Sequence, residues 1–414
     1  MSSPETIAAI EKAARDSYGR LVAFLAARSH DLAAAEDALA DAFHAALASW
    51  PGSGVPENPE AWLLVTARRR LIDRARHDNV HAEAASSLQQ LTEEVQALAS
   101  GGTVFPDERL KLLFVCSHPA IDVAARTPLM LQTVLGIDAA RIASAFLVKP
   151  ATMGQRLSRA KTKIRDARIP FEIPEAPEWP ERLDAVLEAI YATYGLGWNA
   201  VTGADMRSKE LATEAISLGR VLLQLLPEEP EVKGLLALMI YCEARRDARL
   251  DPQGNFVPLS EQNTRLWSEP MIHEAHHLLL DAERARCIGH FQLEAAIQSV
   301  HTRRVVFGGK TDWQEIAILY EGLVRLAPTT GALVARVAAT AEARGAAAGW
   351  ALLQQIPPES VVNYQPFWAQ AAHLLGQLDR PVEARDAYNR AIGLSEDPAT
   401  RAFLVRKLSD LSTD

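Results

Sequence analysis

The sequence predicts an all-α protein, and three features of the residue pattern predict it. Alanine is abundant, runs of β-branched residues are scarce, and apolar residues recur at three- and four-residue spacing along nearly the whole chain. That spacing gathers apolar side chains on one face of a helix, whereas a strand would alternate them. With 414 residues and 48% hydrophobic residues, the chain is long enough for two to four ordinary globular domains.

The first predicted domain covers residues 1–80 and contains three helices. Two of them lie within 5–49, and Asp31 is the predicted N-cap of the second, because a carboxylate there accepts the free N–H groups of the first turn. The Pro, Gly and Asn residues of 51–59 predict a loop, and the sequence "EAWLLVTARRRLIDRARH" that follows predicts a third helix. Residues 81–105 lose this pattern and are predicted to be a linker.

Residues 106–168 predict a second helical domain that ends in a helix-turn-helix. "DAARIASAFLV" is a short amphipathic segment with Asp138 as its predicted N-cap, and "KP" follows it. Pro150 is suited to the first turn of the next helix, where a missing N–H costs nothing. Two helices joined by so short a turn are the arrangement with which many proteins enter the major groove of DNA.

The helix that starts at Pro150 is predicted to have an apolar face and a cationic face. Met153, Leu157, Ala160 and Ile164 form the apolar stripe at spacings of four, three and four residues. Arginine and glutamine near the helix start suit base edges, and the later cations suit phosphates. The predicted DNA-contacting residues are Thr152, Gln155, Arg156, Arg159, Lys161, Lys163 and Arg165. A solvated basic face is the alternative, since such charge patterns are common on helices.

A third, larger helical domain is predicted after a proline-rich linker at 169–180. Within 181–414, Tyr320, Gln354 and Tyr388 lie 34 residues apart, and small residues recur where paired helices would cross. This period resembles the tetratricopeptide repeat. Pro357 interrupts the middle unit, so its second helix is expected to stop near Gln355.

Charge divides the chain at Pro174. Residues 1–174 hold 20 Lys and Arg against 20 Asp and Glu, so the whole net charge of −9 lies after that point. A neutral first part with basic clusters can approach a polyanion, which the acidic second part repels. One hypothesis is that the extension folds back on the basic surfaces. The other is that it presents a groove to a regulator.

At the cationic helix the sequence resembles a known family. "KPATMGQRLSRAKTKIR" is similar to the region 4 recognition helix of bacterial extracytoplasmic-function (ECF) sigma factors, whose pattern Thr152, Met153, Arg156, Leu157, Arg159, Ala160 and Lys161 match in order. The resemblance implies that this helix reads the −35 promoter element.

A second resemblance lies upstream, in residues 31–78. "DLAAAEDALADAFHAALASW" is similar to the helix with which such sigma factors bind core RNA polymerase, and the implied contact residues are Glu36, Asp37, Asp41, Phe43 and Trp50. "NPEAWLLVTARRRLIDRARH" resembles the segment that recognises and melts the −10 element, with Arg69 in place of the more usual Asn. The residues implied there are Asn58, Trp62, Arg68, Arg69, Arg70, Arg74 and Arg76. Core packing is an equally open interpretation of Trp62.

Segments of the extension, among them "EARRDARLDPQGN", resemble the sigma factors that carry a long tetratricopeptide-like C-terminal domain. "AIYATYGLGWNA" departs from that subgroup, where a Phe-Asn-Glu-Gly-Tyr-like stretch is usual. The resemblance implies a non-catalytic sigma factor whose partners are core RNA polymerase and promoter DNA, with an intramolecular or regulator contact through the extension. The alternative is a helix-turn-helix regulator with a tetratricopeptide sensor, independent of core polymerase.

The rival hypothesis from another class is a metalloprotease. "HEAHH" at 273–277 fits the H-E-x-x-H zinc signature, with His273 and His277 as ligands and Glu274 as the base. No catalytic context surrounds it, so we expect no catalytic residue, no metal and no cofactor. The absence of a leader and of an apolar run near twenty residues predicts a cytoplasmic protein without a membrane contact.

Overall fold

The protein is all-helical in the residues that its computed structural model describes, which are 4–77, 107–146, 148–199, 206–306 and 310–411. Within those residues the β contacts amount to one isolated antiparallel bridge between Leu250 and Phe256. The predicted fold class is confirmed. In the same residues every helix is too short or too polar to cross a lipid bilayer.

The chain divides into two compact units, residues 1–193 and 194–414. The helices of the first unit are α1 (Pro4–Ser29), α2 (Leu32–Ser53), α3 (Pro59–His77), α4 (Arg109–Cys116), α5 (Val123–Leu135), α6 (Ala139–Ala145) and α7 (Pro150–Asp166). Helix α8 (Trp179–Asn199) runs through the division between the units.

The second unit continues with α9 (Met206–Leu225), α10 (Pro230–Glu243), α11 (Glu269–Glu283), α12 (His290–Val306), α13 (Trp313–Leu326), α14 (Thr330–Arg344), α15 (Ala346–Leu353), α16 (Pro358–Val361), α17 (Gln365–Gln377), α18 (Pro381–Leu394) and α19 (Pro398–Asp410). Single turns of 3₁₀-helix include Arg246–Ala248, which follows α10.

Helix α1 is the centre of the first unit, because it packs against α2, α3, α4 and α5. The approach to α5 is so close that a Cβ atom at Gly19 would lie 1.7 Å from the Val134 carbonyl oxygen. Glycine is therefore the residue that lets the two backbones touch. The two helical domains that the sequence predicts within 1–168 are thus packed on a shared helix in this structure.

The helix starts follow the predicted capping. The Asp31 carboxylate accepts from the Ala34 N–H at 2.9 Å, and Asp138 Oδ1 accepts from the Ala140 and Arg141 N–H groups. Pro150 is in the first turn of α7. Helix α2 runs to Ser53 and includes Pro51, so the predicted loop starts later than expected. A proline near the end of a helix removes few hydrogen bonds, and the Gly54 N–H closes the helix on the Trp50 carbonyl.

The boundary between the compact units lies at 193/194, which differs from the proline-rich linker predicted at 169–180. Ile169 and Phe171 are buried, and α8 begins with side chains that pack into the first unit. Arg182, 5% exposed, donates to the Phe114 carbonyl at 2.6 Å. The prolines of 169–180 separate α7 from α8, but the packed first unit continues beyond them. The linker predicted at 81–105 lies outside the described residues.

In the second unit, α17 and α18 pack against each other. Ala372, Ala384 and Ala391 are fully buried there, as expected where small residues let helices cross. Helix α15 ends at Leu353, close to the stop predicted before Pro357. The tetratricopeptide assignment itself stays a prediction.

Candidate nucleic-acid interface

Helix α7 carries the cationic face that the sequence predicts. Its stripe of Met153, Leu157, Ala160 and Ile164 is buried, and the helix packs through it against α5 and α6. Burial of one stripe fixes the rotation of the helix, so the opposite side chains point to solvent. Thr152, Gln155, Arg159 and Lys163 are exposed on that side.

These side chains border a depression of about 440 Å³ against the loop that precedes α5. Ile121 and Asp122 of the loop form its other wall. Arg156 is half-buried and donates from Nη1 to the Ala124 carbonyl at 3.2 Å, so it bridges the helix and the start of α5. The arrangement leaves Arg159 and Lys163 as the solvent-facing cations of this surface.

Arg126 positions the loop, and the sequence interpretation missed it. It is 6% exposed, and its guanidinium donates from Nε to the Ile121 carbonyl at 3.1 Å and from Nη2 to the Pro119 carbonyl at 3.4 Å. A buried cation needs such partners, because an unpaired charge in the interior is costly. A lone charged residue inside the otherwise uncharged and mostly apolar "VAARTPLMLQ" was the available signal.

Lys161 faces another helix instead of the exposed cationic surface. Its Nζ lies 2.6 Å from Glu36 Oε2 of α2, and the two side chains are 15% and 13% exposed. Burial raises the pKa of the Glu36 carboxyl, and the ammonium of Lys161 opposes that shift. The contact pairs one predicted DNA-binding residue with one predicted polymerase-binding residue. In this structure the two side chains contact each other, and both binding assignments stay predictions.

A cleft of about 250 Å³ separates the rest of α2 from α7. Asp37 and Arg165 border it, one from each helix, and both are exposed. Arg165 also donates from Nε to the adjacent Asp166 at 3.1 Å. Asp41, one turn further along α2, is exposed, so the acidic face of α2 remains accessible beyond Glu36.

Trp50 is not a surface contact residue. Its indole is 1% exposed and meets the Trp62 ring edge-to-face, with 5.4 Å between the ring centroids. The aromatic pair joins α2 to α3, because large rings contribute most by burying their area. Its predicted role in binding polymerase is corrected to one in packing. Trp62 and Phe43 are half-buried and keep part of their surface accessible.

The predicted −10 residues lie along α3 and its start. Asn58 Oδ1 accepts from the Ala61 N–H at 3.0 Å, so this side chain caps the helix. Arg69 and Arg70 are exposed, and Arg68 is half-buried. Burial, together with the neighbouring Arg69, lowers the pKa of Arg68. The side chains of Arg74 and Arg76 lie outside the described part of the structure.

The "HEAHH" segment forms part of α11 in the second unit. Its Glu274 makes an ion pair with Arg220 at 2.7 Å, and His273, His276 and His277 are exposed. Among the described residues, no group of three or more His, Cys, Asp and Glu side chains is placed to hold a metal ion.

Comparisons with known proteins add two family matches. Residues 14–79 match the model of Sigma-70 region 2, a range that includes α2, α3 and α1 from residue 14 onwards. Residues 182–283 match a family of unknown function, DUF6596. The chain is 37% identical over 410 residues to "Uncharacterized protein R00370" of Rhizobium meliloti (strain 1021), an alignment that covers 98% of this chain and 96% of that protein. No solved structure matches the chain.

Proposed function

We propose that this chain, which carries a sigma-70 region 2 and belongs to one family with R00370 of Rhizobium meliloti, is a sigma factor that directs promoter-specific initiation by core RNA polymerase. The match of region 2 to residues 14–79 is the observation that carries the proposal. We assign it to the ECF subgroup with a tetratricopeptide-like extension, and we assign the chemistry of RNA synthesis to the polymerase. A cytoplasmic location follows from that role.

The surfaces of the first unit support different binding partners for its helices α2, α3 and α7. Exposed carboxylates of α2, such as Asp37 and Asp41, suit a protein partner because they would repel DNA. The exposed cations of α7 suit the phosphates of the −35 duplex. Arg69 and Arg70 of α3, with the half-buried Trp62 near the start of the helix, suit a melted strand, which needs cations and an aromatic surface.

The contact between α2 and α7 supports a resting state of the sigma factor, in which the two helices are docked and core polymerase is not bound. While Lys161 holds Glu36, the polymerase cannot reach that carboxylate. We therefore expect core polymerase to bind after α2 and α7 have separated. Separation would also free α7 to reach a promoter element at a distance from the one bound by α3, as two linked modules do.

The test is run-off transcription by core polymerase on genomic fragments with and without the full chain. Asp37→Arg and Asp41→Arg together should abolish site-selective transcripts and co-purification with core polymerase, because they reverse the charge of the exposed acidic face. Glu359→Arg is the matched control, since Glu359 is an exposed carboxylate of the second unit.

If the full chain never confers site-selective initiation, the sigma assignment is wrong. A regulator independent of core polymerase would instead bind its DNA site with full affinity in the Asp37→Arg, Asp41→Arg variant and would not co-purify with the enzyme.

A further inference from the structure

Three arginine side chains of the second unit gather around one indole ring. The guanidinium carbons of Arg245, Arg246 and Arg249 lie 5.3 Å, 5.4 Å and 4.0 Å from the centroid of the Trp198 ring. All three side chains are half-buried. An indole face attracts cations, but three cations at one ring also repel each other through a medium less polar than water. Their proximity therefore calls for negative charge close by.

One of the three arginines has a firm carboxylate partner. Arg246 donates from Nε and Nη2 to the two carboxylate oxygens of Glu243 at 2.6 Å and 2.7 Å. Asp247 also acts on Arg246, but its side chain is exposed, so solvent screens much of its charge. The Glu243 carboxylate is therefore directed at one member of the arginine cluster, defined here as Arg245, Arg246 and Arg249. Glu294 acts on the neighbouring Cys242 and Tyr320 side chains.

The other two members bind neutral groups. Arg245 donates from Nη2 to Gln298 Oε1 at 2.8 Å and to the Cys242 sulfur at 3.5 Å. Arg249 donates from Nη1 to the backbone carbonyl of Trp198, in the last turn of α8. Among the described residues, neither forms an ion pair with a carboxylate. The acceptors of these two guanidinium groups, each of which carries five N–H donors, are thus uncharged in the described residues.

The electrostatic surroundings of Arg249 agree with this excess of positive charge. Burial, followed by the neighbouring Arg245 and Arg246, lowers the pKa of Arg249 to about 10. A nearby anion would act in the opposite sense by stabilising the charged guanidinium. Arg249 is thus a cation that its own protein environment disfavours.

We propose that the arginine cluster binds a small phosphate-bearing ligand beside Trp198. Planar guanidinium groups match phosphate oxygens with paired, charge-assisted hydrogen bonds, and a multiply charged anion offsets several cations at once. The half-buried setting favours a small ligand over a nucleic acid, whose regular backbone is bound by exposed cations such as those of α7. The proposal is independent of the sigma assignment.

The test is calorimetric titration of the full chain with pyrophosphate at fixed ionic strength and without divalent metal. We expect saturable binding that Arg245→Gln weakens at least about tenfold, as loss of a charge-assisted hydrogen bond predicts. Arg249→Lys keeps the charge but removes the planar fork, so it should also weaken binding. Arg284→Gln is the control and should leave the affinity unchanged, since the side chain of Arg284 on the second unit is 81% exposed. Circular dichroism melting shows that each variant is folded.

Titration with a nucleoside diphosphate under the same conditions distinguishes the source of the phosphate. Tighter binding than pyrophosphate identifies a nucleotide, and equal binding identifies a free phosphate anion. The proposal is overturned if neither ligand gives saturable binding, or if folded Arg245→Gln binds as well as Arg284→Gln. Binding that appears with oligonucleotides alone would assign the arginines to nucleic acid and overturn it as well.

Discussion

Two cation-rich segments of this protein place the same residue types in different surroundings. On α7, the buried stripe of Met153, Leu157, Ala160 and Ile164 directs Arg159 and Lys163 into solvent. In the arginine cluster, three half-buried arginine side chains lie close to one indole ring. An exposed, periodic row suits a long polyanion, whereas a recessed group suits a compact one. The comparison teaches that the surroundings of an arginine, more than its identity, decide what it can bind.

The first unit also contains both exposed and buried cations. Arg159 is exposed, but Arg126 and Arg182 are buried and donate to backbone carbonyls. Lys161 lies between these cases, because it is mostly covered and paired with Glu36. Exposed cations should therefore govern DNA binding, and buried ones should govern stability and the docking of α2 on α7.

The largest effect is expected from reversing the exposed charges of α7. Arg159→Glu with Lys163→Glu should reduce the affinity for −35 duplex DNA by about a hundredfold or more, because two phosphate contacts become repulsive. The measurement is fluorescence anisotropy with the full chain at low salt, followed by run-off transcription.

Reversal of Arg284, which lies in the second unit, should leave that affinity within about twofold. If the α7 variant binds promoter duplex as well as the Arg284 variant does, Arg159 and Lys163 form an ordinary solvated face. The proposed difference in ligand between α7 and the arginine cluster would then be wrong.

The next effect concerns a buried cation. Arg182→Ala should lower the free energy of unfolding by about 2–3 kcal/mol, because it removes a buried hydrogen bond from a charged donor to the Phe114 carbonyl, which keeps the Ser117 hydroxyl as a donor. Urea denaturation followed by circular dichroism measures the change. Arg165→Ala, on the exposed part of α7, should change stability by less than about 0.5 kcal/mol. Equal losses would show that burial does not separate the two classes of arginine.

A smaller effect is expected at the contact between α2 and α7. Lys161→Ala leaves Glu36 partly buried without its cation, which costs roughly 1–3 kcal/mol in the docked state. The docked state should therefore be less populated, and the affinity for core polymerase should rise by up to about tenfold. Surface plasmon resonance with immobilised core enzyme measures this affinity. An unchanged or weaker affinity would show that the ion pair does not hold the polymerase-binding face closed.

The smallest effect is a change in salt dependence. Arg159→Gln should lower the slope of log affinity for promoter duplex against log salt by about one, the contribution of a single phosphate contact. Anisotropy titrations at several salt concentrations give the slope. Lys161→Gln, at a covered position, should leave the slope nearly unchanged. If Lys161→Gln lowers the slope and Arg159→Gln does not, Lys161 contacts a phosphate and Arg159 does not.

The helices and their caps were accessible from the sequence, because these features depend on local residue order. The Asp31 and Asp138 caps, the turn at Pro150 and the four-residue stripe of α7 all lie where the pattern predicts them. The exposure of the cationic side chains follows directly, since burying one stripe orients the rest of the helix. The subgroup, the helix-turn-helix and the repeat assignments stay predictions.

Other site residues could not be placed by pattern. Trp50 occupies a position that the family resemblance marks for polymerase contact, yet it is buried against Trp62. Arg126 and Arg182 gain their roles from carbonyl groups that folding brings near. A one-dimensional pattern shows which face of a helix is apolar, but it does not show which other segment covers that face.

By itself, the sequence determined that the chain is helical, where many of its helices begin, and that α7 is amphipathic with an exposed basic face. Tertiary structure alone decided that Lys161 meets Glu36, that the first unit continues to Thr193, and that Arg245, Arg246 and Arg249 converge on Trp198. The physical reason is the sequence separation over which each kind of interaction acts. Backbone hydrogen bonds and side-chain periodicity act over a few residues, whereas ion pairs and burial depend on segments far apart in the chain.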